Sequence, residues 1–152
     1  MKIILEGNPI HQPRMRLFNR GGFTRVFDPV AREKIKTKRE IKEIFGDHPK
    51  FEFPQISFVF HMLIPKSTSK KAQFEHSTGL LKHIKKPDCD NLIKFYADCL
   101  DTICFDGDQK MSLGFSVKLY HPEPKTIIII NEMTNILQLE EVDQSIFSFL
   151  NA

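Results

Sequence analysis

The chain has no stretch of about 20 apolar residues, the length that crosses a bilayer, so no transmembrane helix and no membrane partner is expected. Its longest apolar run, Ile127 to Ile130, is strand-sized. Cysteine is scarce, with three residues at 89, 99 and 104. An odd number with no zinc spacing excludes an even disulfide framework and points to reduced thiols in a cytoplasmic protein. The six histidines show no His-Glu-x-x-His spacing, which argues against a zinc hydrolase. There is no Gly-rich phosphate loop, which weakens a nucleotide-hydrolase reading. The first seven residues lack the basic flank, longer apolar core and small-residue cleavage site of a signal peptide, and read as a short strand. Internal repeats and low-complexity tracts are absent.

What is present is charge, unevenly placed. The net charge of +3 conceals ten Lys/Arg against four Asp/Glu in residues 1–40, and six Lys against one Glu in 66–86. Residues 121–152 reverse the balance, with one Lys against five acids. Two basic segments thus flank an acidic centre, a pattern suited to a polyanion substrate. Solvated helix faces give the same counts. At 152 residues the chain is long enough to bury its own core as one domain. The expected division is a domain over 1–134 and a C-terminal amphipathic helix or tail over 135–152.

Local patterns place the elements. Residues 1–6 read as a strand and Gly7 to Gly22 as a basic loop. Asp28-Pro29 signals a helix over 29 to about 45, stopping near Gly46. Phe53 to Leu63 reads as a strand. Residues 65–86 read as a lysine-rich mobile loop with a short helix after Ser69. A helix is expected from Asp90 to about Ile103, then a turn at Phe105 to Asp108. Alternation over Leu113–Leu119 and the run Lys125–Asn131 predict a β-hairpin.

The most informative segment is Lys85-Lys86-Pro87-Asp88-Cys89-Asp90-Asn91-Leu92-Ile93-Lys94. Two carboxylates stand two positions apart at a helix start, with a lysine pair before them and Lys94 one turn on. Crowded carboxylates repel unless a cation sits among them. A hard ion such as Mg²⁺ takes oxygen ligands from one or two carboxylates plus phosphate oxygens. Lysines beside them are natural phosphate partners. The bland alternative is a set of caps and solvated charges, with Lys94 and Asp98 as a plain i, i+4 ion pair. On a helical wheel Asp90, Asn91, Lys94, Asp98 and Asp101 share an arc of roughly 100°. The rest of the helix is apolar.

With these residues in view, the chain resembles the RusA-type Holliday junction resolvases. Their pattern Asp-x-Asp-Asn-Leu-x-Lys-x-x-x-Asp-x-Leu is met by Asp88, Asp90, Asn91, Leu92, Lys94, Asp98 and Leu100, then Phe105 and Asp108. The similarity extends to the Gly7-x-Pro9 turn and to Pro13-Arg14-Met15-Arg16, and covers about residues 1–132. The resemblance implies an α+β fold, a small mixed sheet with helices packed on it, in a homodimer. It also implies a Mg²⁺-dependent endonuclease, with Mn²⁺ as a substitute, that cleaves four-way or branched DNA by paired nicks in recombination and repair.

Carried over by position, Asp88, Asp90 and Asp108 are the metal-binding carboxylates and Lys94 the catalytic lysine. Here Phe105-Asp106-Gly107-Asp108 replaces the adjacent acids of many members, so Asp106 competes with Asp108 as third ligand; its distance from the aromatic favours Asp108. Asp98 is expected to support Lys94. Arg14, Arg16, Arg20 and Arg25 are expected on backbone phosphates, with Lys85 and Lys86 nearer the cut strand. Phe18 and Phe23 could stack on an unpaired base or anchor the loop. The second half of the site comes either from the same chain or from a partner subunit. Two other classes stay open: a branched-DNA-binding protein that does not cut, and a metal-dependent nucleotide phosphohydrolase.

Overall fold

The computed structural model describes residues 1–20, 22–71 and 83–133, with backbone only at 18–20 and 25. The fold is α+β. Strands β1 (Lys2–Glu6), β4 (Pro54–Leu63), β5 (Ser112–His121) and β6 (Lys125–Glu132) form one mixed sheet in the order β1-β6-β4-β5. Strands β2 (Arg16–Arg20) and β3 (Phe23–Phe27) form a separate two-stranded ribbon. Two α-helices, α1 (Ala31–Phe45) and α2 (Cys89–Leu100), accompany the strands.

Period-two alternation decides which strand residues face the core. In β6, Thr126, Ile128 and Ile130 are fully buried while Ile127 and Ile129 are half-buried on the other face. Ile3 and Leu5 of β1 and Ile56, Phe58 and Phe60 of β4 join that buried layer. The helices cover it with Ile41 and Phe45 from α1 and Leu92, Phe95, Tyr96, Cys99 and Leu100 from α2. The Tyr96 hydroxyl, deep in this layer, accepts from the Ile10 N–H at 3.1 Å and the Thr126 hydroxyl at 2.9 Å. It therefore ties the loop after β1 to β6.

Three sequence expectations are corrected. β5 and β6 do not pair as a hairpin: β4 lies between them, parallel to β5 and antiparallel to β6. The reason is burial. β4 is the most thoroughly buried strand and takes the centre, and α2 supplies the crossover that a parallel neighbour requires. The short turn after His121 then steps across β4 rather than folding back beside β5. Secondly, the segment Gly7 to Gly22 is not all loop, because Arg16–Arg20 pairs with Phe23–Phe27. Thirdly, Asp28 does not cap α1 as its flanking residue. Its Oδ1 accepts the Val30 N–H at 3.1 Å in a turn before the helix, and Val30 occupies the flanking position.

The other boundaries agree with expectation. α1 ends at Phe45, where Gly46 adopts φ 57° and its N–H bonds the Lys42 carbonyl at 3.0 Å. Lys70 and Lys71 are helical, as expected after Ser69. The rest of that loop and the C-terminal amphipathic helix over 135–152 lie outside the described residues. No helix among those described is long and apolar enough to cross a membrane.

A candidate metal and DNA site at the start of helix α2

Helix α2 has one apolar face and one charged stripe. Leu92, Phe95, Tyr96, Cys99 and Leu100 are buried, so Asp90 and Lys94 are exposed and Asn91 and Asp98 half-exposed, as the wheel predicts. Asp88 flanks the helix in an extended conformation, φ −72° and ψ 150°, and its side chain makes no cap bond. Neither Asp88 nor Asp90 has a side-chain partner among the described residues. Two exposed carboxylates, unpaired among the described residues, thus stand at the N-terminal end of the helix. Lys94 lies one turn along from Asp90, exposed and without an ion pair among the described residues.

The segment leading into α2 is pinned to the sheet. The Lys118 ammonium on β5 donates to the carbonyls of Lys85 at 2.9 Å and Pro87 at 2.6 Å. Cys89 Sγ donates to Ser116 Oγ at 3.4 Å. From the other side the Gln12 N–H donates to the Asn91 carbonyl at 2.9 Å. These contacts hold Lys85 and Lys86, both exposed, beside the carboxylate pair.

Asp98 does not support Lys94. It accepts from Lys34 of α1 at 2.8 Å, and Lys34 also meets Asp28 at 3.1 Å. Burial lowers the Lys34 pKa, but the two carboxylates outweigh it and raise the value above that of a free lysine. Burial pushes the Asp28 carboxyl up, and hydrogen bonds from Val30, Gln12 and Lys34 outweigh it, leaving Asp28 below the usual range. Gln12, 6% exposed, donates from Nε2 to Asp28 Oδ1 at 3.1 Å. A continuous polar chain therefore runs from Asn91 through Gln12, Asp28 and Lys34 to Asp98. It binds both roots of the β2–β3 ribbon to α2.

The remaining acids lie at the far end of α2. Asp101 Oδ1 accepts the Gly107 N–H at 2.9 Å, which fastens the 105–108 turn to the end of the helix. Gly107 sits at φ 91°, a conformation costly for any residue with a Cβ. Asp106 is engaged by Lys50 at 2.6 Å. Asp108 begins a single turn of 3₁₀ helix over Asp108–Lys110, is exposed, and has no partner among the described residues. Twelve helical residues span about 18 Å, so Asp108 stands roughly a helix length from Asp88 and Asp90. Among the described residues no three His, Cys, Asp or Glu come together to hold a metal. One chain therefore unites Asp88, Asp90 and Lys94 but not Asp108.

Of the basic residues, Arg14 and Arg16 are exposed at the start of the ribbon, and Arg20 and Arg25 occupy strand positions within it. Sequence reasoning missed Gln12, Lys34 and Lys118. Lys34 sits in a basic stretch where one more lysine carries no signal, Lys118 is a lone lysine at a strand position, and Gln12 in a loop offers no periodic cue.

A carboxylate pair with a neighbouring lysine, set between basic segments, brings oxygen donors and ammonium groups to one exposed helix start. Comparison with known proteins narrows the class. The sequence pattern of the family Endodeoxyribonuclease RusA matches residues 6–131, and the chain belongs to that family. It is also 28% identical over 141 residues to the uncharacterized protein YqaN of Bacillus subtilis (strain 168), covering 88% of this chain and 97% of that protein.

Proposed function

We propose that the chain is a divalent-metal-dependent endonuclease that resolves Holliday junctions and related branched DNA by paired nicks. The observation that carries this reading is the pair of unpartnered, exposed carboxylates Asp88 and Asp90 with Lys94 one turn on, in a chain of the RusA family. Their oxygen donors suit Mg²⁺ or Mn²⁺, and they leave coordination positions for phosphate. A bound ion would supply positive charge to offset that growing on the phosphate oxygens during phosphodiester hydrolysis. Lys94 contributes a fixed cation to the same phosphate. Lys85, Lys86 and the ribbon arginines hold the strand in register through its backbone.

Asp108 is the third carboxylate in this reading, because Asp106 is already engaged by Lys50. The helix length between Asp108 and Asp90 supports a homodimer in which Asp108 of one subunit completes the site of the other. Paired nicks on a two-fold junction suit such an isologous pair. A reducing compartment, the cytoplasm, fits its three free cysteines.

Mixing subunits tests the whole reading. Asp90→Asn and Asp108→Asn should each be inactive on a synthetic four-way junction with Mg²⁺. If sites form between subunits, the mixed dimer contains one intact site and regains single-strand nicking. No nicking from the mixture places both halves in one chain. No nicking by the wild type leaves the non-cutting DNA binder as the surviving alternative.

A further inference from the structure

The β2–β3 ribbon carries a pattern hidden in the sequence and exposed by its register. Arg16 pairs with Phe27, Phe18 with Arg25, and Arg20 with Phe23. These are alternate positions on each strand, so all six share one face of the ribbon. Every cross-strand pair on that face sets one arginine opposite one phenylalanine. The opposite face carries Leu17 across from Val26 and Asn19 across from Thr24.

The Phe23 and Phe27 rings are not spent on a core. Phe23 is 78% and Phe27 57% exposed, beside an exposed Arg16. Among the described residues the ribbon has no third strand. An apolar surface of this kind, held out in water, marks a binding site. No Asp or Glu occurs between Gly7 and Phe27. A second copy docked on this face would oppose arginine to arginine, whereas a nucleic-acid strand neutralises them.

We propose that this face is a platform for an unpaired DNA strand, its rings stacking on bases and its arginines meeting the phosphates between them. Stacking on aromatic rings beside a cationic track is how sequence-tolerant single-strand binding works. Alternate residues on a strand lie about 6.7 Å apart, so the Phe23 and Phe27 positions stand about 13 Å apart with the Arg25 position between them. A rigid duplex keeps its bases stacked on one another; the crossover of a branched molecule leaves bases free to stack on rings. The Gln12–Asn91 bond places the ribbon root beside Asp90, so the held strand leads toward the carboxylate pair. The proposal rests on the nuclease reading for its substrate, but its binding chemistry stands apart from cleavage.

The test uses the full chain without divalent metal and three probes: oligothymidylate, a duplex of equal length, and a four-way junction with 2-aminopurine at the crossover. The substituted pair is Phe23→Ala with Phe27→Ala. Oligothymidylate affinity should fall about tenfold or more, from the loss of one stacked base per ring. Duplex affinity should stay within about twofold, because its phosphates are untouched. The 2-aminopurine fluorescence change produced by the wild type should vanish. Phe23→Tyr with Phe27→Tyr should restore the oligothymidylate affinity and the fluorescence change, and Phe23→Leu with Phe27→Leu should not. Equal loss on duplex and oligothymidylate, full binding by the Leu pair, or a fall from dimer to monomer in light scattering of the Ala pair each overturns the proposal. Wild type that binds oligothymidylate but never nicks a junction removes the nuclease reading and leaves the platform standing.

Discussion

Asp106 and Asp108, one and three positions after Phe105, illustrate how a single contact separates residues that look alike. Both are exposed, yet among the described residues only Asp106 is neutralised, by Lys50 at 2.6 Å. In a plasmid or junction nicking assay with Mg²⁺, Asp108→Asn should lower the rate by about a thousandfold, as expected for several kcal/mol of lost charge stabilisation. Asp106→Asn should leave the rate within about threefold, since an exposed pair contributes little. Equal losses would return Asp106 to candidacy. Lys34 offers a second test. It lies 17% exposed between Asp28 and Asp98, and Lys34→Met strands both carboxylates. The cost in urea unfolding should be about 1–2 kcal/mol, below that of a fully buried pair because Asp98 is 42% exposed. The pH dependence has a definite sign. Asp28 is depressed in the folded protein, so its contribution is complete above the free carboxyl value of 3.8 and fades as pH falls through the lower folded value. Asp28→Asn should therefore cost stability at neutral pH, and flatten the loss that wild type shows below pH 3.8. A wild-type curve no steeper than that of the variant contradicts this assignment.

Elements in this fold are placed by one or two close approaches. β4 and β5 run parallel with a register shift between Ile56 and Phe58. At that shift the Ser57 hydroxyl accepts the Phe115 N–H at 3.2 Å, and Gly114 lies directly against Ser57 Oγ. A Cβ on Gly114 would overlap that oxygen. Gly114→Ala should cost about 1–3 kcal/mol, the range for overpacking. That corresponds to a fall in Tm of about 2–4 °C per kcal/mol for a chain of this size. Adding Ser57→Gly, which vacates the same space, should recover part of the loss. Strictly additive effects in thermal melts would show that the two sites do not touch. The consequence reaches function because β5 carries Ser116 and Lys118, the residues that hold the start of α2.

The whole molecule is a polar seam between a sheet domain and a basic ribbon. Gln12 and Asp28 close the ribbon at its roots, and Asn91 and Lys34 fasten it to α2. Buried Cys99 and Cys104, whose thiols burial pushes up to about 12, are inert packing residues beneath it. If the ribbon reads backbone phosphates, affinity must fall steeply with salt, by about 0.9 in log K per log unit for each duplex phosphate neutralised. Arg14→Ala with Arg16→Ala should lower that slope by about two units and weaken every DNA form alike. An unchanged slope in fluorescence-anisotropy titrations would move the DNA path to Lys85 and Lys86.

Local chemistry was legible in the residues themselves wherever it depends on neighbours a few positions apart. The Asp88–Lys94 motif, the charged stripe of α2, the stop of α1 at Gly46 and the strands β1, β4, β5 and β6 all follow from short-range periodicity and capping. Pairing partners did not follow, because alternation says which face a strand buries and not which strand lies beside it. That is why β5 and β6 read as a hairpin until β4 was seen between them. The ribbon was missed for a related reason: arginine and phenylalanine alternate there without a buried face, so no hydrophobic period marks it. Long-range charge pairing was equally silent. Nothing in the chain's order distinguishes Lys34 as the partner of Asp98, or Lys50 as the partner of Asp106. Only folding brings those ammonium groups, 64 and 56 residues away, to their carboxylates. The tertiary structure thereby decided which acids are left free, and free carboxylates are the ones that can meet a cation.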